Sequence, residues 1–369
     1  MLRLPSSPSP SHFKGRFVAG GLISLVAWAL LQALAPPPAI PWTPQMREAA
    51  SQMAEALSAV SEECRRIGVS MDRALDPNQT CLIGPEYSEL LTSLGQLEAK
   101  RTSINPDLAG LMVHLLAEAG VGPGDRVAVG ASGSFPGLLV GTLTAIETMG
   151  AEPRTILSLG ASSFGATRPG FHLWDLYRFM EGQGYVSGPA AGVSLGGSGD
   201  VGENLDPEFR AGLAQDLRSA TPPGGSTRFL ESSDLRSNVA ERMALYGAAD
   251  AFVNIGGAEA NLGTSPRVLD VPPGLATDLV LPPEGQRGVL FEMASAGVPV
   301  IHLLHLRGLS LRYGLQWDPL PLPAPGSTPL SDSQKGKGFW FWLLTLAYAL
   351  GLVAVFTLGG RREGQGAVR

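Results

Sequence analysis

Apolar and polar positions change period several times along this chain, and the changes mark out its elements. Thr43-Pro44 opens an amphipathic helix running to about Arg66, with Met46, Ala50, Met53, Leu57 and Val60 at helical spacing. From Pro106 onward, short apolar runs alternate with stretches of helical period. The spacing predicts helices over Leu108–Ala119, Pro136–Met149, Leu173–Met180, Glu208–Arg218, Leu235–Tyr246 and Val289–Ala296. It predicts strands over Arg126–Gly130, Thr155–Leu159, Ala251–Ile255 and Val298–Leu303. Strands alternating with helices of this length build βαβ units. The expected fold class is therefore α/β with a doubly wound, mostly parallel sheet.

Two further runs, Phe17–Ala35 and Phe339–Leu358, contain no Asp, Glu, Lys or Arg. Runs of this length approach the roughly 20 apolar residues needed to cross a bilayer, and they predict one transmembrane helix at each end. Ala33-Leu34-Ala35 resembles a signal-peptide cleavage site, but Pro36 directly after it favours a retained anchor. Arg3, Lys14 and Arg16 before the first run, and Arg361, Arg362 and Arg369 after the second, put both ends on the cytoplasmic side. The expected layout is a tail over 1–16, a span over 17–35, an extracytoplasmic α/β domain over 36–338, a span over 339–358 and a tail over 359–369. Within the domain, 36–105 reads as a helical and loop lead-in, 106–319 as the core and 320–338 as a Pro-rich linker.

Charge narrows the ligand classes. Between the two runs stand 21 basic and 32 acidic residues, a net charge of −11. That excludes generic nucleic-acid binding, which needs a broad basic field, and confines any anionic ligand to a local pocket. The two cysteines, Cys64 and Cys81, show neither CxxC nor paired-His spacing, so no metal or cofactor is expected. A disulfide between them is open on sequence alone.

In doubly wound sheets, ligands gather at the carboxyl ends of the strands. Four glycine-rich loops are expected there: Gly130–Pro136 (GASGSFP), Gly160–Gly165 (GASSFG), Ser194–Gly202 (SLGGSGDVG) and Gly256–Gly263 (GGAEANLG). None has the spacing of a dinucleotide or Walker A loop. Ser132 sits at a strand-to-helix turn like a nucleophile elbow, without the second glycine of G-x-S-x-G. It is a candidate nucleophile, with His302 or His305 the histidines placed to reach the rim. The alternative is anion binding by Ser132, Gly133 and Ser134. Ser162, Asp200, Glu259 and Asn261 are the polar candidates in the other three loops.

The polar segment Asp76–Asp107 (DPNQTCLIGPEYSELLTSLGQLEAKRTSINPD) has poor apolar periodicity and reads by itself as a long surface loop. Together with GDRVAVGASGSFPG, SLGASSFGA, SLGG and GVPVIHLLHLRGLSLRYGLQWDPLPLP, however, it resembles the family called poly-gamma-glutamate system proteins. The resemblance covers roughly Asp76 to Pro323. It implies a membrane-anchored accessory component of poly-γ-glutamate or capsule synthesis, with the polymer or its synthase as partner. It also implies that a glycine is usual where Cys81 stands, so a bridge to Cys64 would be peculiar to this chain. On this view Lys100 and Arg101 hold a carboxylate, Glu98 orients them, and Asp76 or Asn78 completes the pocket. The alternative is a serine-type hydrolase or transferase acting on the same polymer, with Ser132 as nucleophile and Lys100 or a histidine as base.

Overall fold

The computed structural model describes residues 10–34, 38–232, 234–335 and 339–357, and the chain divides into two units, Met1–Ile40 with Ser331–Arg369, and Pro41–Leu330. The first unit contains helix α1 (Pro10–Leu34) and a C-terminal helix, Phe339–Thr357, which lie against each other with Ser24 Oγ and Tyr348 Oη 2.9 Å apart. Among the described residues no helix is long and apolar enough to cross a membrane. The first two turns of α1 include His12, Lys14 and Arg16, and its apolar run is then broken by Gly20, Gly21 and Ser24. This corrects the expected spans over 17–35 and 339–358. The two-span membrane localisation, and the extracytoplasmic placement that rested on it, are corrected with them. Residues 1–9 and 359–369 of the expected tails lie outside the described residues.

In the second unit Thr43 caps helix α2 (Pro44–Arg66) by accepting from Met46 N at 3.1 Å, and the stripe Met46, Ala50, Met53, Leu57 and Val60 is buried. A Cys64–Cys81 disulfide then folds the chain back toward strand β1 (Leu91–Ser93), helix α3 (Leu97–Ser103) and helix α4 (Asp107–Glu118). The expected surface loop over 76–107 is largely interior instead. Asp76, Cys81, Ile83, Leu90, Lys100, Asn105 and Asp107 are each at most 2% exposed. Irregular backbone can be buried only if its polar groups find partners. Here Arg168 donates to Cys81 O and Ile83 O at 2.8 and 2.7 Å, and the Asp76 carboxylate accepts from Cys81 N at 2.8 Å.

The alternating region follows as β2 (Arg126–Ser132), α5 (Pro136–Thr148), β3 (Glu152–Ser158), β4 (Ala161–Ser162), the small hairpin β5 (Thr167–Arg168) and β6 (Phe171–His172), and α6 (Leu173–Gly182). Next come β7 (Gly192–Ser194), α7 (Pro207–Ala220), β8 (Arg228–Leu230), α8 (Leu235–Tyr246), β9 (Ala251–Ile255) and α9 (Glu259–Leu262). The series closes with β10 (Gly274–Ala276), α10 (Val289–Ser295), β11 (Val300–Leu303) and α11 (Leu306–Tyr313).

Seven strands form one sheet in the order β10-β11-β9-β2-β3-β7-β8, parallel except for β10 on the edge. From β2 the chain winds outward through β3, β7 and β8, then crosses back to β9 on the other side of β2. The order therefore reverses between β2 and β9, where ligand crevices form in such sheets. Helices α2, α4 and α5 pack against one another, with α5 on β2 and β3. A second core of Ala128, Ile156, Tyr246, Phe252, Phe291 and Val300 is closed by α8 and α10. Burial on both faces is why these strands read as continuous apolar runs.

Candidate functional site

Register lines up the carboxyl ends of the parallel strands. Ser132 lies beside Ser158, and Ser158 beside Ser194. The four glycine-rich loops that follow these ends and β9 meet directly. Gly133 N donates to Ser158 O at 2.9 Å, and Gly133 O accepts from Ala166 N at 2.7 Å. Gly160 N donates to Leu195 O at 2.8 Å. Gly256 has φ +77°, and a Cβ there would stand 2.2 Å from Ser132 Oγ, so only glycine lets the β9 loop close on the β2 loop.

Lys100 lies at the centre of this meeting. Its Nζ is 2.6 Å from Ser162 Oγ, is hydrogen-bonded to Ser134 O, and stands 3.8 Å from the centroid of the Phe135 ring. Ser134 Oγ in turn accepts from Ser162 N at 3.1 Å. Lys100 is 1% exposed and makes no salt bridge among the described residues. Burial lowers its pKa from 10.5 to about 7, because the charged amine loses its hydration and gains no counter-ion. The contact with the ring face is too weak to offset that loss. A neutral amine within hydrogen-bond reach of a hydroxyl has the geometry a base needs to activate a nucleophile. Ser162 is 8% exposed, and the turn Ser93–Gln96 lies over the pair, since a Cβ on Gly95 would be 3.1 Å from Ser162 Oγ and 3.2 Å from Lys100 Cε. β1 holds that turn in place by pairing with β4, the strand that carries Ser162.

The remaining expected pocket residues disperse. Arg101 does not join Lys100: it forms a two-pronged ion pair with Asp318, at 2.6 and 2.7 Å, and its pKa is raised chiefly by that hydrogen bonding. Successive helical residues point about 100° apart, so two neighbouring cations do not enter one pocket. Glu98 is exposed. Asn78 Nδ2 donates to Pro319 O at 3.2 Å. Asp76 belongs to the buried 76–83 turn, where desolvation raises its pKa. Ser132 is buried beside Gly256, and its Oγ accepts from Ser134 N at 3.4 Å. The base that sequence placed near Ser132 stands at Ser162 instead. His302 is also committed elsewhere: its Nδ1 meets Asn254 Nδ2 at 3.1 Å, and burial lowers its pKa to about 4.

A second buried node was not legible as such. Arg242, 0% exposed, is ion-paired through Nη2 with Asp200, also 0% exposed. The same Nη2 donates to Ser158 Oγ at 3.0 Å and Ser194 Oγ at 2.9 Å, while Nε donates to Asn238 Oδ1 at 2.8 Å. Asn261 Oδ1 is 3.4 Å from Arg242 Nη1, and Glu259 Oε2 accepts from Gly199 N at 2.7 Å. Asp200, Glu259 and Asn261 thus fasten the loops to one another. The signal for Arg242 was its spacing. It falls on the stripe of Asn238, Val239 and Tyr246, where a lone arginine on an apolar helix face implies a buried partner.

Comparison with protein-family models, curated proteins and solved structures returns no match.

Proposed function

We propose that the chain is a serine-type acyl hydrolase or transferase in which Ser162 is the nucleophile and Lys100 its base, acting on an amide-linked acidic polymer. The observation that carries the reading is the 2.6 Å contact between Ser162 Oγ and a buried Lys100 Nζ that has no carboxylate partner among the described residues. The sequence resemblance supplies poly-γ-glutamate as the substrate to test, and polymer trimming or transfer as the place of the reaction in capsule synthesis.

In the first half-reaction the Lys100 amine takes the Ser162 proton as Oγ bonds to the substrate carbonyl carbon. Ser163 N and Gly165 N are engaged by Ser93 O and Ser162 O. The oxyanion is therefore met by the positive charge Lys100 has just acquired. The proton then passes from Lys100 to the departing amine, the C–N bond breaks and an ester on Ser162 remains. In the second half-reaction Lys100 deprotonates a water or an acceptor amine, which displaces Ser162 and restores its hydroxyl.

Incubation of the purified chain with poly-γ-glutamate should change the polymer's length distribution, measured by size-exclusion chromatography. A serine-reactive fluorophosphonate should add once, at Ser162. Ser162→Ala and Lys100→Met should each abolish both effects, whereas Ser132→Ala should retain them. Full processing by folded Ser162→Ala would overturn the assignment.

A further inference from the structure

Along the same rim, helix α7 and the carboxyl ends of β7 and β8 line an open cavity of about 490 Å3. That size falls within the roughly 300–1,000 Å3 of small-molecule sites. Leu195, Ala214 and Leu230 give it an apolar floor, and Glu203, Arg210 and Arg218 stand on its walls. Leu195 O accepts from Gly160 N, and Gly160 precedes Ser162 by two residues, at most about 7 Å of chain. The cavity therefore borders the loop that leads into the strand carrying Ser162.

The two arginines differ. Arg218 is neutralised by Glu231 at 2.6 Å and stacks 5.6 Å from the Phe229 ring. Arg210 is half-buried and makes no ion pair or side-chain hydrogen bond among the described residues. Its stem runs past Gly202, where a Cβ would stand 3.4 Å from Arg210 Cδ. A guanidinium held on an apolar wall without a partner is a receptor for a planar oxyanion, carboxylate above all. Glu203, exposed and likewise without an ion pair among the described residues, offers the opposite charge to the same cavity.

We propose that this cavity is a terminus subsite that takes the free amino-acid end of the substrate, carboxylate on Arg210 and ammonium on Glu203. The inference rests on the acyl-transfer reading and adds a direction to it. The enzyme works from the amino end of an acidic chain, because an internal residue, whose nitrogen is an amide, has no ammonium to give Glu203.

The test is calorimetric titration of the full chain carrying Ser162→Ala, so that binding is measured without turnover. The probes are γ-glutamylglutamate, its N-acetyl derivative and its derivative with the amino-terminal α-carboxylate converted to an amide. The free dipeptide should bind, and each capped form should bind about tenfold more weakly or worse. Adding Arg210→Ala should weaken the free dipeptide by a similar factor and erase its preference over the amide. Adding Glu203→Gln should erase its preference over the N-acetyl form. Equal binding of all three probes, or a dipeptide affinity unmoved by Arg210→Ala, would overturn the subsite. If Ser162→Ala still turned over polymer while these preferences held, the assignment of the nucleophile would fail and the subsite would stand.

Discussion

Exchanging Lys100 for Met removes the amine but keeps an unbranched side chain that fits an irregular interior. The folded chain holds Lys100 1% exposed with its pKa lowered from 10.5 to about 7. The unfolded chain keeps the ordinary value, so between these two limits the unfolded state carries a proton that the folded state has shed. Stability contributed by the neutral amine is fully present above pH 10.5. It declines as the pH falls toward 7, by up to about 1.4 kcal/mol per pH unit, and levels off below. From pH 9 to pH 7 the loss from this one group comes to about 2 kcal/mol. His302, lowered to about 4 by burial, titrates below that window and does not contribute. Guanidinium unfolding of wild type and Lys100→Met at pH 9 and pH 7 isolates the effect. The variant should gain about 2 kcal/mol on the wild type between the two conditions. The wild type's kcat/KM should rise with pH through about 7, because only the neutral amine can take the Ser162 proton. An identical pH dependence of stability in the two proteins would refute the idea that the amine is desolvated without a counter-charge.

Three further outcomes follow from the packing. Gly95→Ala places a Cβ 2.7 Å from the Ser163 carbonyl oxygen and should displace the turn over the dyad, costing about 1–3 kcal/mol by chemical denaturation and most of the activity. Asp200→Asn leaves Arg242 charged and fully buried, so it should destabilise the chain by about 3–5 kcal/mol, against near-neutrality for exposed Asp216→Asn as control. Reduction of the Cys64–Cys81 bridge, which spans a sequence separation of 17, should cost about 3 kcal/mol, read as a lower melting temperature in dithiothreitol than in buffer alone.

Much of the parallel sheet was legible because β2, β3, β9 and β11 are short apolar runs bounded by glycine turns, and the helices between them carry clear periodicity. β7, β8 and β10 were not, since three residues hold too little pattern to register. The convergence of the four loops could be read from their positions after strands. The chemistry within them could not. Lys100 and Ser162 are 62 residues apart, and the pairing of β1 with β4 and the bonds between the 84–85 and 164–165 turns bring them together. Lys100 and Arg101 were expected to share one carboxylate because sequence lists neighbours, while a helix sends them to different environments. The apolar run at the start misled because the absence of charge in it did not register Gly20, Gly21 and Ser24, or the charged turns that belong to the same helix.

The seating of α3 has a bearing on the chain's synthesis. The helix that carries Lys100 is tethered through Arg101 to Asp318, near the end of its unit, while all seven strands of the sheet lie before that residue. A ribosome-bound chain could therefore pair all seven strands and still lack the ion pair that anchors the helix carrying Lys100. Elongation past Asp318 becomes the step that completes the seat of Lys100, so the proposed base–nucleophile pair is assembled only after the sheet around it has been made.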